Sequence, residues 1–111
     1  MATLREFARE SAQKIRLAVR EDDFLARFPS SAYLTKDVLR GSSLVAQFGR
    51  IHKKILELNE DDHQPAIRLI AADLGLRTPA VLESVCLLSA SNDAFLELAD
   101  AVWELLDALD E

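Results

Sequence analysis

The most regular hydrophobic pattern in the chain lies between residues 44 and 58. Leu44, Phe48, Ile51, Ile55 and Leu58 recur at intervals of 4, 3, 4 and 3, the spacing that gathers side chains on one face of an α-helix. Ser42 or Ser43 stands ahead of this run as an N-cap and Asn59 closes it, so a helix over 44–58 is predicted. At the start of the chain, Thr3 with Glu6 fits the capping box. It opens a helix over 4–20 whose apolar face is Leu4, Phe7, Ala8, Ile15, Ala18 and Val19. Near the end, Phe95, Leu98, Val102, Leu105 and Leu109 recur at 3, 4, 3, 4, and Leu96, Ala99, Trp103 and Leu106 run beside them. Two adjacent stripes are wider than one ordinary helix face. They predict a final helix over about 93–109, capped by Asn92, that is either central to a bundle or half of an interface.

Turn and cap residues divide the intervening chain. Asp22 or Asp23 caps a short helical turn over 24–28 that Pro29 ends. Ser30 or Ser31 opens a short helix reaching Arg40, with Gly41 as its left-handed C-terminal residue. Residues 60–64 read as a polar loop. Pro65 suits the first turn of a helix that runs to Leu74 and is ended by Gly75. Thr78 followed by Pro79 marks the start of another helix, to Leu88, with Pro79 at its first position. The expectation is an all-α fold, a five- to six-helix bundle in a single domain over 1–111. Residues 1–40 are a candidate N-terminal arm and residues 44–109 a candidate core.

Composition strengthens this reading. Half of the 111 residues are apolar, and three Gly and three Pro are too few for a loop-dominated chain. No run approaches the roughly 18 apolar residues that span a bilayer, and the opening Met1-Ala2-Thr3-Leu4-Arg5-Glu6 lacks the apolar stretch of a secretory signal. The single cysteine, Cys86, sits among apolar neighbours as a small hydrophobe. A cytoplasmic protein with no membrane association is expected.

Charge is divided along the chain. Residues 1–58 hold 11 Lys and Arg against 7 Asp and Glu, a net of +4, whereas residues 59–111 hold 2 against 12, a net of −10. Such asymmetry bears on partners and on self-association. On the final helix Glu97, Asp100, Glu104, Asp107 and Glu111 recur at 3, 4, 3, 4 opposite the apolar stripes, with no Lys or Arg among them. This strip is either a solvated face or a docking strip for a basic partner, with Trp103 and Leu106 as apolar anchors at its edge. Arg5, Arg9, Arg16 and Arg20 form a basic strip on the first helix, which can lie against the acidic helix within one chain or across a dimer. Arg50, Lys53 and Lys54 make a third, smaller basic group.

Nothing in the sequence has the spacing of a catalytic or metal centre. Gly41, Gly49 and Gly75 stand alone, so no glycine-rich loop cradles a phosphate. His52 and His63 belong to no paired-ligand spacing, and Asp61, Asp62 and His63 read as a solvated loop with a helix cap. No enzymatic activity and no cofactor are expected.

Residues 70–81, Ile-Ala-Ala-Asp-Leu-Gly-Leu-Arg-Thr-Pro-Ala-Val, resemble the helix-turn-helix of phage-type repressors. Ala71 falls where that motif takes a small residue, Gly75 at its turn, and Leu74, Leu76, Val81 and Val85 at its core positions. The likeness covers about residues 67–86 and extends more weakly to 106. It implies a reading helix whose exposed positions are Arg77, Thr78, Pro79, Leu82, Glu83 and Cys86. Of these, Arg77 and Thr78 suit DNA, with Arg50, Lys53 and Lys54 as further candidate contacts. Glu83 is repelled by phosphate, and Leu82 and Cys86 favour burial. The leading expectation is therefore a small regulatory or adaptor protein that binds another protein and self-associates, as a homodimer through the last helix. The alternative is a helix-turn-helix transcriptional regulator or antitoxin that binds DNA.

Overall fold

The computed structural model describes residues 3–91 and 93–110, and every regular element among them is helical. Five helices are long: α1 (Leu4–Asp22), α4 (Ser43–Glu57), α5 (His63–Asp73), α6 (Ala80–Ser89) and α7 (Phe95–Asp110). Two are short, α2 (Phe24–Arg27) and α3 (Lys36–Arg40), and 3-10 turns occupy Ser31–Tyr33 and Glu60–Asp62. The all-α bundle predicted from the hydrophobic periods is the fold observed.

Several helix starts follow from local chemistry. Thr3 Oγ1 accepts the Glu6 amide at 3.1 Å and opens α1, and Ser42 Oγ accepts the Val45 amide at 3.0 Å and opens α4. The helix expected from Ser30 or Ser31 to Arg40 is in fact interrupted. The chain makes one 3-10 turn, leaves helical geometry at Leu34 to bury that side chain, and restarts as α3 with Thr35 as the cap. Gly41 is not left-handed: its φ is −86°. Gly75 is, with φ +77°. There the Gly75 amide bonds the Ala72 carbonyl and the Leu76 amide bonds the Ala71 carbonyl, the paired closure that ends a helix on glycine. Pro79 sits just outside α6 and not at its first position, although its backbone is already helical. The Asn92 cap expected for α7 lies outside the described residues.

One core runs through the molecule. Small residues on α1 (Ala8, Ser11, Ala12 and Ala18, with Ile15 between them) are buried and let α1 pack against α4 and α5. The first half of the candidate N-terminal arm is thus built into the core. The α4 stripe of Leu44, Phe48, Ile51 and Ile55 is buried as its periodicity predicts, while Leu58 is half-buried at the end. Helix α4 also packs on α6, and α6 on α7. No helix among the described residues is long and apolar enough to cross a membrane.

A buried carboxylate joins α1 to α4. Asp22 makes no cap for α2. Its Oδ2 accepts Ser42 Oγ at 2.6 Å and the Leu44 amide at 2.9 Å, and its Oδ1 accepts the Ser43 amide at 3.3 Å. An acidic group at the positive end of α4 satisfies amides that have no partner inside the helix. At the other end of the fold, the Arg16 guanidinium donates to the Asp73 carbonyl and closes the C-terminus of α5.

Candidate functional site

The final helix is where the sequence placed its strongest candidate, and its packing decides which residues remain outside. Leu98, Val102 and Leu105 from the first apolar stripe are buried, and so are Ala99 and Leu106 from the second. Both stripes therefore serve the protein's own core. Leu106 is only 3% exposed, so it is a core residue and not an exposed anchor. The reason is that α7 is covered from two directions, by α6 and by the segment carrying the Ser31–Tyr33 turn and α3. Trp103 is half-buried at the core's edge.

What α7 leaves on the surface is Leu96, which is 86% exposed, together with Glu97, Asp100, Glu104 and Asp107. Leu96, Asp100, Trp103 and Asp107 follow the spacing i, i+4, i+7, i+11, which sets them along one side of the helix. Glu97 and Glu104 form the next row. Asp100 is fixed from across the fold, because its Oδ1 accepts Ser31 Oγ at 3.0 Å. Sequence reasoning missed this partner, since it joins positions 69 residues apart. At the head of α7, Lys36 Nζ and the Arg40 guanidinium carbon stand 5.0 and 5.5 Å from the centre of the Phe95 ring. These are cation–π distances, and they hold α3 against the helix.

The candidate DNA contacts do not form one face in any contact observed. Arg77 and Thr78 are exposed on the link between α5 and α6, where they line a recess of about 180 Å³ with Gly75, Leu76, Val81 and Ala108. Arg50, Lys53 and Lys54 are exposed on α4. Arg50 shares a polar recess with Arg40, Ser42, Ser43 and Gln47, beside helix amides that Asp22 already satisfies. On α6, Leu82 and Cys86 are fully buried, and half-buried Glu83 accepts Gln64 Nε2 at 3.2 Å. Burial first, and then the charge of Glu83, push the Cys86 thiol from its ordinary 9.0 up to about 12. A thiol in that state is neutral and unreactive.

Both histidines border a groove of about 140 Å³ between the end of α4, the start of α5 and α6, together with Leu56, Leu87 and Cys86. His63 Nε2 lies 3.0 Å from the Leu58 carbonyl. Among the described residues, no group of three or more His, Cys, Asp or Glu is arranged to hold a metal ion. Leu56 and Leu87 are more than half exposed. Neither was singled out in the sequence, because an isolated surface leucine has no periodic signature.

No family model matches the chain, and neither a curated protein nor a solved structure does. The functional reading therefore rests on the surface of α7 and on the charges around it.

Proposed function

We propose that this chain is a non-enzymatic cytoplasmic adaptor or regulator that binds a basic protein partner through the exposed face of α7. The observation that carries the reading is the row of four exposed carboxylates on α7, a helix with no Lys or Arg of its own, beside Leu96, which is 86% exposed. A single exposed leucine is ordinary on a protein surface, and here it adds an apolar contact to an acidic row. A row of one charge sign selects what binds there, because opposite charge speeds encounter and like charge excludes wrong partners. Trp103, half-buried beside this face, supplies an aromatic edge of the kind that anchors protein interfaces.

The same face weighs against a dimer made by two α7 helices. Such a pairing sets Glu97, Asp100, Glu104 and Asp107 of one copy against the same four of the other, and like charges repel. The DNA reading is the alternative, and exposed Arg77 and Thr78 at the head of α6 are what favour it. The burial of Leu82 and Cys86 takes two of its expected reading positions off the surface.

The test uses the chain's single tryptophan. A synthetic helical peptide rich in Lys and Arg is titrated into the protein at low salt while Trp103 emission is followed. We expect saturable binding that weakens with salt, and a loss of about tenfold or more in Glu97→Lys/Glu104→Lys. Equal binding by the two proteins, or tighter binding of duplex DNA that is lost in Arg77→Ala, overturns the reading.

A further inference from the structure

The basic strip on α1 is as exposed as the acidic strip on α7. Arg5, Arg9, Arg16 and Arg20 are all on the surface, and the side chain of Arg16 turns to the C-terminus of α5. Successive residues advance by 100° around a helix, which places these four within about 60° of one another and leaves Glu6, Glu10 and Glu21 on a separate arc. Leu17, 59% exposed, lies on that second arc, between Glu6 and Glu10.

The sequence left two ways for the basic strip to meet the acidic helix, within a chain or between chains. The fold removes the first. Helix α1 packs on α4 and α5, while α7 packs on α6 and on the segment around α3. Near one end, Val19, Phe24 and Leu25 share a small recess with Leu106 and Leu109. The contact there is apolar, and none of the four arginines lines it.

We infer that the basic partner of the α7 face is the α1 face of a second copy of this chain. This rests on the reading of α7 as a docking surface and names its occupant. The charge is complementary and confined to single helix faces. At 1.5 Å per residue the basic strip from Arg5 to Arg20 spans roughly 22 Å and Glu97 to Asp107 roughly 15 Å, so the basic strip is long enough to cover the acidic one. The acidic face also carries exposed Leu96, so closing the contact removes apolar surface from water on that side. Opposite charges brought face to face lie within one Debye length, about 8–10 Å at ordinary salt, and charges farther off on the molecule are screened.

Two different surfaces meet in this arrangement, so it is heterologous. The resulting dimer keeps one unused α1 face, on one copy, and one unused α7 face, on the other, and association continues past the dimer unless the rotation closes a ring. The α1 contact is therefore distinguishable from any two-fold dimer by how growth is stopped.

The experiment is sedimentation velocity on the full chain over a concentration series at low and high salt. The proteins are the wild type, Arg9→Ala/Arg20→Ala and Glu97→Ala/Glu104→Ala. Arg16 and Asp100 are left intact because each makes a bond within the fold. We expect the wild type to form a series of oligomers that salt dissolves, each double variant to be monomeric, and an equimolar mixture of the two variants to stop at a 1:1 dimer. Unchanged circular dichroism shows that the variants remain folded. The inference is overturned by a wild type that stays monomeric at low salt, by association that either variant retains, or by a variant mixture that stays monomeric. A monomeric wild type that still binds the basic peptide through Glu97 and Glu104 defeats the second-copy inference and leaves the docking function standing. Failure of both measurements removes both.

Discussion

Asp22 and Ser42 form a hydrogen bond of 2.6 Å between two buried side chains, twenty residues apart in sequence. The same carboxylate takes the Leu44 amide while Ser42 takes the Val45 amide, so one side chain-to-side chain contact sets the start of α4. Asp22→Ala leaves a buried hydroxyl and two helix amides, of Ser43 and Leu44, without their partner and should cost about 3 kcal/mol. Ser42→Ala removes a cap and should cost about 1–2 kcal/mol. The double variant should lose less than the sum, because both remove the same contact. Urea unfolding of the four proteins measures the coupling, and strict additivity refutes the shared role.

The two glycines that follow helices respond differently to a methyl group. At Gly75 the space is open but φ is +77°, so Gly75→Ala carries the left-handed penalty of roughly 1–2 kcal/mol. At Gly41 the backbone is ordinary and an added Cβ meets the Asp37 carbonyl at 3.5 Å, a normal contact. Gly41→Ala should therefore be neutral or stabilising by up to about 1 kcal/mol through the unfolded chain. Equal losses in chemical denaturation contradict the assigned conformations.

Cys86 provides a pH-dependent readout. Its thiol is pushed up to about 12 in the folded chain from an ordinary 9.0, so the fold holds the proton more tightly than the unfolded chain does. The associated stability is complete below pH 9 and is lost as pH rises towards 12. Alkylation should be negligible in the native protein at mildly alkaline pH and rapid in denaturant. Glu83→Gln removes the second cause of the shift and should lessen, without abolishing, the loss of stability at alkaline pH. Rapid native labelling shows that α6 does not bury this face.

Substitutions along α7 separate its core from its surface. Leu105→Ala empties a fully buried site and should cost about 2–5 kcal/mol. Leu96→Ser changes an exposed residue and should stay within about 0.5 kcal/mol of the wild type. Trp103→Ala should fall between them, at about 1–3 kcal/mol, because the side chain is already partly exposed at the edge of the core. Thermal or urea unfolding ranks the three, and a large loss at Leu96 reverses the proposed use of this face.

Much of this architecture was legible in the sequence because it is local. The 4, 3, 4, 3 run of α4 turned inward as its period requires, and Thr3, Ser42 and Gly75 act within three or four residues of themselves. The reading failed where distant parts of the chain decide. Two apolar stripes on α7 fitted either the centre of a bundle or an interface, and the packing decides it: α6 and the segment around α3 lie on the helix, and Leu106, which shares a recess with Phe24 and Leu25, is core. Asp22 looked like a cap for the turn beside it and instead reaches α4. Ser31 fixes Asp100 across 69 residues. A helix period reports which face is apolar, and only the tertiary fold reports what covers that face.

The bond between Asp22 and Ser42 also closes the base of a loop. From Asp23 to Gly41 the chain holds only a four-residue helix, one 3-10 turn and a five-residue helix. Its anchors are the buried side chains of Phe24, Leu34 and Leu39 and the two cations over Phe95. We expect a segment this lightly held to open as a unit before the long helices do, like a latch. Amide exchange should then run ahead in α2 and α3 while α1 and α4 stay protected, and the lifetime of the closed state should set how often the head of α7, with Phe95 and Leu98, meets water.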